Sequence, residues 1–179
     1  MAARRVPDAI EFATCASSIG QVLVAHGSQG LRAVFIGDDD AAVLLALRSR
    51  FPMAALTPDQ GSCKRVLPDV MGLIEAPWKG FALSVDACGT AFQQQVWRAL
   101  REIPAGSTAS YTDIAQRIGS ASAVRAVAQA CAANPLAVIV PCHRVVRRDG
   151  GLSGYRWGVE RKRELLRRES VWSSRIEPA

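Results

Sequence analysis

The residues best suited to chemistry in this sequence are a cysteine and a histidine that stand side by side, Cys142 and His143. A thiol reacts as its thiolate, and a neighbouring imidazole makes removal of the proton less costly. Pro141 precedes the pair and Arg144 follows it. Because proline ends regular strand pairing, we predict a turn that presents a nucleophilic thiol beside its base. The alternative is a structural cysteine, since free cysteines are often buried as small hydrophobic residues.

A carboxylate near the end of the chain completes this group. The pattern from residue 159 to about 169 predicts a helix with Leu165 and Leu166 on its buried side, and Glu169 follows them at helical spacing. A buried charge needs a partner, and His143 is the natural one. Cys142, His143 and Glu169 then form a relay of nucleophile, base and orienting carboxylate, with a water between imidazole and sulfur. The alternative for Glu169 is a solvated glutamate.

The segments on either side of Cys142 are expected to position it. Asn134 stands before a proline, which disfavours helix, and the apolar residues 136–140 predict a buried strand that leads to the thiol. The Asn134 side chain can bond the backbone of its own turn, as a hinge or as a plain turn asparagine. Further on, glycines flank Tyr155, Arg156 and Trp157. These side chains suit the wall of a pocket for a planar ring.

Composition limits the possible classes of protein. The chain has 179 residues, 49% of them apolar, and no uninterrupted apolar stretch long enough for a spanning helix or a signal peptide. We therefore expect a cytoplasmic protein without a membrane segment. Five cysteines without a C-x-x-C pair, and only two histidines, argue against a disulfide framework and a metal centre.

Charge is unevenly distributed along the chain. Residues 1–90 carry 8 Lys and Arg against 9 Asp and Glu, whereas residues 91–179 carry 14 against 7. The whole net charge of +6 therefore lies in the second half. Arginine matches phosphate with a planar fork, so this half is predicted to bind a polyanion. A merely solvated basic surface is the alternative.

The chain is predicted to fold as two small domains of the α+β class, residues 1–88 and 89–170, followed by a tail at 171–179. The first contains strands at 19–25, 31–36 and 81–85, and helices after Asp38 and near 66–74. The second is mainly helical. A helix over 92–103 precedes a helix-turn-helix pair, in which Ser110 or Thr112 caps one helix and Ser122 opens the other. That last helix is rich in alanine, with Arg125 as its long side chain.

The sequence resembles the O6-alkylguanine-DNA alkyltransferases. Their hallmark PCHRV stands at residues 141–145, and residues 89–97, 123–127 and 152–158 also follow the family pattern. The resemblance covers roughly residues 10–170. It implies a ribonuclease H-like N-terminal domain and a winged helix-turn-helix-like C-terminal domain. It also implies DNA repair by irreversible, single-turnover transfer of the O6-alkyl group of a flipped guanine to a cysteine, without a cofactor. The protein is expected to be a monomer whose partner is double-stranded DNA that contains O6-alkylguanine. Whether O4-alkylthymine is also repaired stays open.

The resemblance assigns roles to particular positions. Cys142 is the acceptor, His143 and Glu169 are its relay, Asn134 is the hinge, and Tyr111 rotates the phosphate and assists protonation of the leaving base. Arg125 is the finger that replaces the flipped nucleotide. The residues expected at DNA are Ser110, Thr112, Ala123 and Arg144. The residues expected around the base are Tyr155, Val145, Arg156 and Trp157, and the bulk of Trp157 is expected to slow reaction with large guanine analogues.

Some members of the family hold a zinc ion in the N-terminal domain. The N-terminal half of this sequence lacks the matching Cys and His residues, so no zinc is expected. Two other functions stay open. One is a non-catalytic binder of alkylated DNA, against which Cys142 argues. The other is a helix-turn-helix transcription regulator. Whether the chain is a stand-alone protein or part of a longer one also stays open.

Overall fold

The N-terminal half is built on a four-stranded sheet. The computed structural model describes residues 8–80, 82 and 84–176. Strands β1 (Ala9–Ser17), β2 (Gly20–Gly27) and β3 (Gly30–Gly37) form an antiparallel meander, and β4 (Ala55–Pro58) pairs with β1 in parallel. The strand order is β3-β2-β1-β4. The two strands predicted around residues 19–25 and 31–36 are confirmed. The sequence did not predict β1 or β4, because apolar and polar residues alternate only weakly in β1 and because β4 contains a proline.

Two helices follow the strands of this half. Helix α1 (Asp40–Arg50) begins at Asp39, whose carboxylate accepts a hydrogen bond from the backbone N–H of Ala42 at 2.8 Å. The helix predicted after Asp38 is therefore confirmed, with an acidic side chain as its cap. Helix α2 (Ser62–Glu75) starts four residues before the predicted position. Its first turn donates backbone hydrogen bonds to the carboxylate of Asp59, a cap that stands outside the apolar pattern used for the prediction.

The free edge of β3 joins the two halves of the chain. Leu31 exchanges backbone hydrogen bonds with residues 84 and 86, and Val34 does so with Pro135 and Ala137. The predicted strand at 81–85 includes Phe81 and Leu83, which lie outside the described residues, and Val85 forms a single bridge to Leu31. The strand predicted over 136–140 is wrong. Only its first residue pairs with β3, and the chain then turns.

The C-terminal half is mainly helical. Its helices are α3 (Ala91–Arg101), α4 (Tyr111–Arg117), α5 (Val124–Ala133) and α6 (Val159–Ile176), and its short strands β5 (Ala109–Ser110) and β6 (Val145–Val146) pair in parallel. Of the two predicted caps of α4, Ser110 is the one observed, in a reciprocal capping box with Asp113. The N-cap residue of α5 is Ala123 and not the predicted Ser122, and it provides no side-chain cap.

Helix α6 is longer than predicted and runs into the region expected to be a tail. Its extension is held by Trp172, which stacks on Trp78 with ring centroids 5.6 Å apart. Apolar residues of both halves belong to one cluster of buried side chains, so the sheet and the C-terminal helices share a core. Within the described part of the chain, no helix is long and apolar enough to cross a membrane.

Candidate active site

Asn134 holds the turn that carries Cys142. Its Oδ1 accepts a hydrogen bond from the N–H of Leu136 at 2.8 Å, and its Nδ2 lies 3.0 Å from the carbonyl of Val140. The same Nδ2 is 3.3 Å from Cys142 Sγ. Asn134 is fully buried at the end of α5. Asn134, predicted to be a hinge, therefore fixes the turn and also donates directly to the sulfur of Cys142.

The backbone of this turn is constrained in a second place. Val138 has a φ of +58°, in the left-handed region that a β-branched residue rarely adopts. Such a conformation persists only where the surrounding structure requires it, and it occurs most often at functional sites. After it, residues Cys142–Arg144 form one turn of 3₁₀ helix. This strained turn occupies the position of the predicted strand and orients the Cys142 thiol.

His143 and Glu169 meet although 26 residues separate them. His143 Nε2 lies 2.9 Å from Glu169 Oε1, and both side chains are fully buried. Because Nε2 donates to the carboxylate, Nδ1 of the neutral ring is an acceptor. Within the described residues this buried Nδ1 has no hydrogen-bond partner. The spacing argument that placed Glu169 on the buried side of α6 therefore describes the observed position.

Arg144 does not face outward as expected of a residue that contacts DNA. It is 8% exposed, and its guanidinium donates to Glu169 at 2.9 Å, to the carbonyl of Ile103 and to the carbonyl of Pro77. The prediction of a DNA contact is wrong because these acceptors use the charged group inside the protein. Together with the N–H of Gly106, Arg144 holds the Glu169 carboxylate in place.

Burial dominates the electrostatics of the three groups. It raises the pKa of Cys142 to about 11, although the Asn134 hydrogen bond and the charge of Lys162 act in the opposite direction. Burial lowers the pKa of His143 against the influence of Glu169. Burial alone would raise the pKa of Glu169, but His143 and Arg144 hold it at about 2. At neutral pH the site therefore holds a thiol, a neutral imidazole and a carboxylate.

A cavity of about 500 Å³ opens onto Cys142. This volume lies within the usual range for ligand pockets. One wall comes from α5, where Ala128, Cys131 and Ala132 have small side chains that leave space. Facing them are Tyr111 at the start of α4 and residues 153–156, which together complete the lining. The small side chains of the alanine-rich helix α5 therefore line the cavity.

The residues predicted to surround a base differ in their positions. Tyr155 and Arg156 line the cavity. Trp157 is 5% exposed and packs edge to face on Tyr155 with centroids 5.1 Å apart, so it supports the wall from behind. Val145 is also buried, and its carbonyl accepts from Lys162. Burial raises the pKa of Tyr155, whose buried hydroxyl has no partner in the described structure.

Sequence reasoning missed Lys162 and Ser153. Lys162 is fully buried and lies 3.2 Å from the hydroxyl of Ser153, which in turn lies 2.6 Å from the hydroxyl of Tyr111. A usable signal was present, because Lys162 precedes Leu165 by three residues and Glu169 by seven, which is one helix face. The run of basic residues around it made Lys162 look solvent-exposed.

The residues predicted to face DNA lie near the helix pair. Arg125 is exposed on the first turn of α5 and, in the described part of the chain, makes no hydrogen bond or ion pair. Thr112 and Ala123 are half-buried. Ser110 is buried, and its hydroxyl caps α4, which leaves this side chain a structural role. Among the described residues there is no group of three His, Cys, Asp or Glu side chains that could hold a metal ion.

Comparison with known proteins places the site in a family. The profile described as 6-O-methylguanine DNA methyltransferase, DNA binding domain, matches residues 91–171. The inducible methylated-DNA–protein-cysteine methyltransferase of Bacillus subtilis is 44% identical over 130 residues, 73% of each chain. A crystal structure of Mycobacterium tuberculosis OGT in complex with DNA superposes with a TM-score of 0.76 at 38% identity, covering 90% of this chain and 93% of that one. The chain therefore belongs to the O6-methylguanine-DNA methyltransferase family.

A longer relative matches over part of its length. The bifunctional transcriptional activator/DNA repair enzyme Ada of Escherichia coli is 49% identical over 162 residues, which are 90% of this chain and 46% of Ada. The chain spans less than half the length of this Ada protein and of the Salmonella typhimurium regulatory protein ada. The mixed sheet-and-helix fold is that of the solved relatives.

Proposed function

We propose that this protein repairs DNA by moving the O6-alkyl group of guanine onto Cys142. The observation that carries the proposal is that Cys142 lines a cavity while His143, the next residue, is buried and paired with Glu169. The names of the relatives, methylated-DNA–protein-cysteine methyltransferases, support the same reaction. The substrate is duplex DNA that contains O6-alkylguanine, and the protein acts as a cytoplasmic monomer without a cofactor.

The transfer is a single displacement. A bond forms between Cys142 Sγ and the alkyl carbon as the bond from that carbon to guanine O6 breaks, and the bonding electrons leave with guanine. The thiol proton passes through a water to Nδ1 of His143, and Glu169 stabilises the imidazolium that forms. A thiol with a pKa of about 11 needs such a base at neutral pH. Because the thioether is stable, each molecule reacts once.

The leaving guanine needs a proton, and Tyr111 is the donor we assign. Its hydroxyl lines the same cavity and is bonded to Ser153. Burial raises the pKa of Tyr111, which keeps the hydroxyl protonated. Tyr155 and Arg156 then form the wall against the base, and the backbone near Val145 supplies acceptors. Once guanine has its proton, the imidazolium proton of His143 returns through water to the Tyr111 phenolate, so the proton count closes without any co-reactant.

Access to the base requires that it leave the duplex. In our proposal α4 and α5 form the helix-turn-helix, residues 147–151 form the wing, and α5 enters the minor groove. Arg125 takes the place of the flipped nucleotide, and Thr112 and Ala123 lie at the DNA backbone. The corresponding domain division is a ribonuclease H-like unit over residues 1–88 and a winged helix-turn-helix unit over 89–170.

The decisive experiment measures the mass of the peptide that contains Cys142 after incubation with O6-methylguanine duplex. We expect a gain of one methyl group in the wild-type protein and none in Cys142→Ala. Cys131→Ala is the matched control, because Cys131 lines the same cavity, and it should still be methylated at Cys142. A protein that binds the duplex but gains no methyl group is a non-catalytic binder or a transcription regulator, and that result would refute the proposal.

A further inference from the structure

The wall of the cavity belongs to the C-terminal half, yet the N-terminal sheet holds it. We call residues 153–158 the pocket loop. Arg161, in the first turn of α6, donates through Nη1 to the carbonyl of Trp157 at 2.8 Å. The same guanidinium donates through Nε to the carbonyl of Ile19 at 2.6 Å and through Nη2 to Asp38 at 2.6 Å. One side chain thus connects the pocket loop to the β1–β2 turn and to the segment before α1.

Two glycines, Gly20 and Gly158, lie against this guanidinium, and we call the site that they and its three acceptors form the seat. Gly20 has a φ of +122°, and a Cβ there would lie 2.7 Å from Arg161 Nη2 and 2.4 Å from the carbonyl of Gly37. Gly158 has a φ of +99°, and a Cβ there would approach Nη1 to 3.4 Å. Only arginine presents several N–H groups in a rigid planar fork that can reach three acceptors at once. The shape of this seat is therefore specific to Arg161.

A short chain of contacts leads from this seat to the cavity. Trp157, whose carbonyl Arg161 holds, packs edge to face on Tyr155, and Tyr155 lines the cavity at Cys142. The loop has a second attachment, because the guanidinium of Arg156 lies 5.4 Å from the ring centroid of Phe35 in β3. The relay of His143 and Glu169 is held separately, by Arg144 and Gly106. Loss of the Arg161 contacts should move the wall of the cavity and leave the relay intact.

We propose that Arg161 is a positioning residue for the alkylated base, through which the N-terminal sheet fixes the pocket loop. This inference rests on the proposed transfer reaction. Arg161 itself touches neither the thiol nor the cavity, and its role is to hold the backbone of Trp157 where Tyr155 can meet the flipped base.

The test compares Arg161→Gln with Arg163→Gln. Arg163 lies two residues further along α6, is exposed and pairs only with Glu160 in the described structure, so it is a matched control. Two rates are measured for each protein: methyl transfer from O6-methylguanine duplex, and alkylation of Cys142 by iodoacetamide, which needs no base pocket. In Arg161→Gln we expect transfer to fall about tenfold, since small displacements of positioning groups cost rate steeply. Iodoacetamide should react within about twofold of the wild-type rate, because the Cys142 turn is unchanged.

Hydrogen exchange separates positioning from a general loss of stability. In Arg161→Gln, exchange should accelerate at the amides of residues 153–158 and stay unchanged at residues 142–146. Arg161→Lys should recover part of the transfer rate, because it keeps the charge but lacks the fork. A normal transfer rate in Arg161→Gln, or a parallel loss of iodoacetamide reactivity, would overturn the inference. Failure of the wild-type protein to accept methyl would instead refute the proposed function.

A second variant decides the question if Arg161→Gln does not fold. Asp38→Lys places a cation against Arg161 from the N-terminal half, at a side chain that is 90% exposed. The control is Asp40→Lys, because Asp40 bonds to Gln21 and not to Arg161. We expect about a threefold loss of transfer in Asp38→Lys, the scale of an exposed charge pair, and none in the control. Equal rates in the two variants would contradict the role of the seat.

Discussion

Two buried cysteines, one in each half of the molecule, have opposite surroundings. Cys63 in α2 is fully buried, and its sulfur lies 3.3 Å from the carbonyl of Glu11 and 3.5 Å from that of Val24, the acceptors for its single S–H. Burial and the nearby Asp59 carboxylate raise its pKa to about 12. Cys142 is 5% exposed and its pKa is raised to about 11, but its sulfur accepts a hydrogen bond from Asn134 and lies near cationic groups.

The contrast shows that depth of burial does not distinguish a structural thiol from the proposed nucleophile. Both sulfurs are poorly ionised at neutral pH. What differs is the direction of the hydrogen bonds and the sign of the nearest charges, which oppose a thiolate at Cys63 and favour one at Cys142. Cys142 is followed in sequence by the buried His143, and it lines a cavity.

The largest effect is expected from His143→Ala. Without a base, the buried thiol must ionise unaided, so methyl transfer should slow by about 10² to 10⁴, the usual contribution of general base catalysis. Rapid-quench kinetics with O6-methylguanine duplex measures the rate, and a binding titration with undamaged duplex measures affinity. Affinity should stay close to that of the wild-type protein, because His143 is fully buried. Comparable losses of rate and affinity would contradict the assignment of His143 to chemistry.

Glu169→Gln should act on stability as well as on rate. The pKa of Glu169 is lowered from an ordinary 4.5 to about 2. A lowered pKa stabilises the fold above pH 4.5, and this contribution, about 3 kcal/mol at most, is lost as pH falls toward 2. The variant should therefore unfold at lower urea concentration at pH 7, where Arg144 loses its partner, and the difference from wild type should shrink at pH 3. A difference independent of pH would contradict the charge of Glu169.

The sequence was most informative where one helix or one turn holds the relevant residues. The cysteine and histidine pair, the face of α6 that carries Glu169 and the cap at Ser110 all follow from local spacing. The same local signals identified β2, β3 and the helix pair. Periodicity within a single element is therefore enough to place these groups.

Pairings between remote segments were not accessible in this way. The apolar residues 136–140 looked like a strand because nothing in their sequence indicates that only Leu136 pairs with Val34 of β3 and that the chain then turns. Arg144 looked like a DNA ligand because its acceptors at residues 77, 103 and 169 lie far from it in sequence. Such contacts are decided by tertiary packing, which local propensity does not encode.

A smaller effect is expected from Arg125→Ala, which tests the proposed DNA-facing surface of α5. The half of the molecule that contains Cys63 has no proposed DNA-facing surface. Transfer from duplex should fall about tenfold, in line with the loss of one good DNA contact. Reaction of Cys142 with iodoacetamide should not change. The control is Arg98→Ala, an exposed arginine of α3, which the proposal does not place at the DNA. Unchanged repair of duplex by Arg125→Ala would remove the finger role and leave the thiol chemistry untouched.

The smallest effect is expected from Cys63→Ala, and it tests the comparison most directly. Replacing this buried sulfur removes a few contacts, so the free energy of unfolding should fall by about 1 kcal/mol in a urea titration. The rate of methyl transfer should stay within about twofold of wild type, because Cys63 takes no part in the relay.

In the wild-type protein, iodoacetamide should label Cys142 about tenfold faster for each pH unit between 7 and 10, since its pKa is raised to about 11. Cys63, which is fully buried and has a pKa of about 12, should stay unlabelled over the same range. Labelling of Cys63 alongside Cys142 would mean that burial, and not the polar surroundings, controls the reactivity of both thiols.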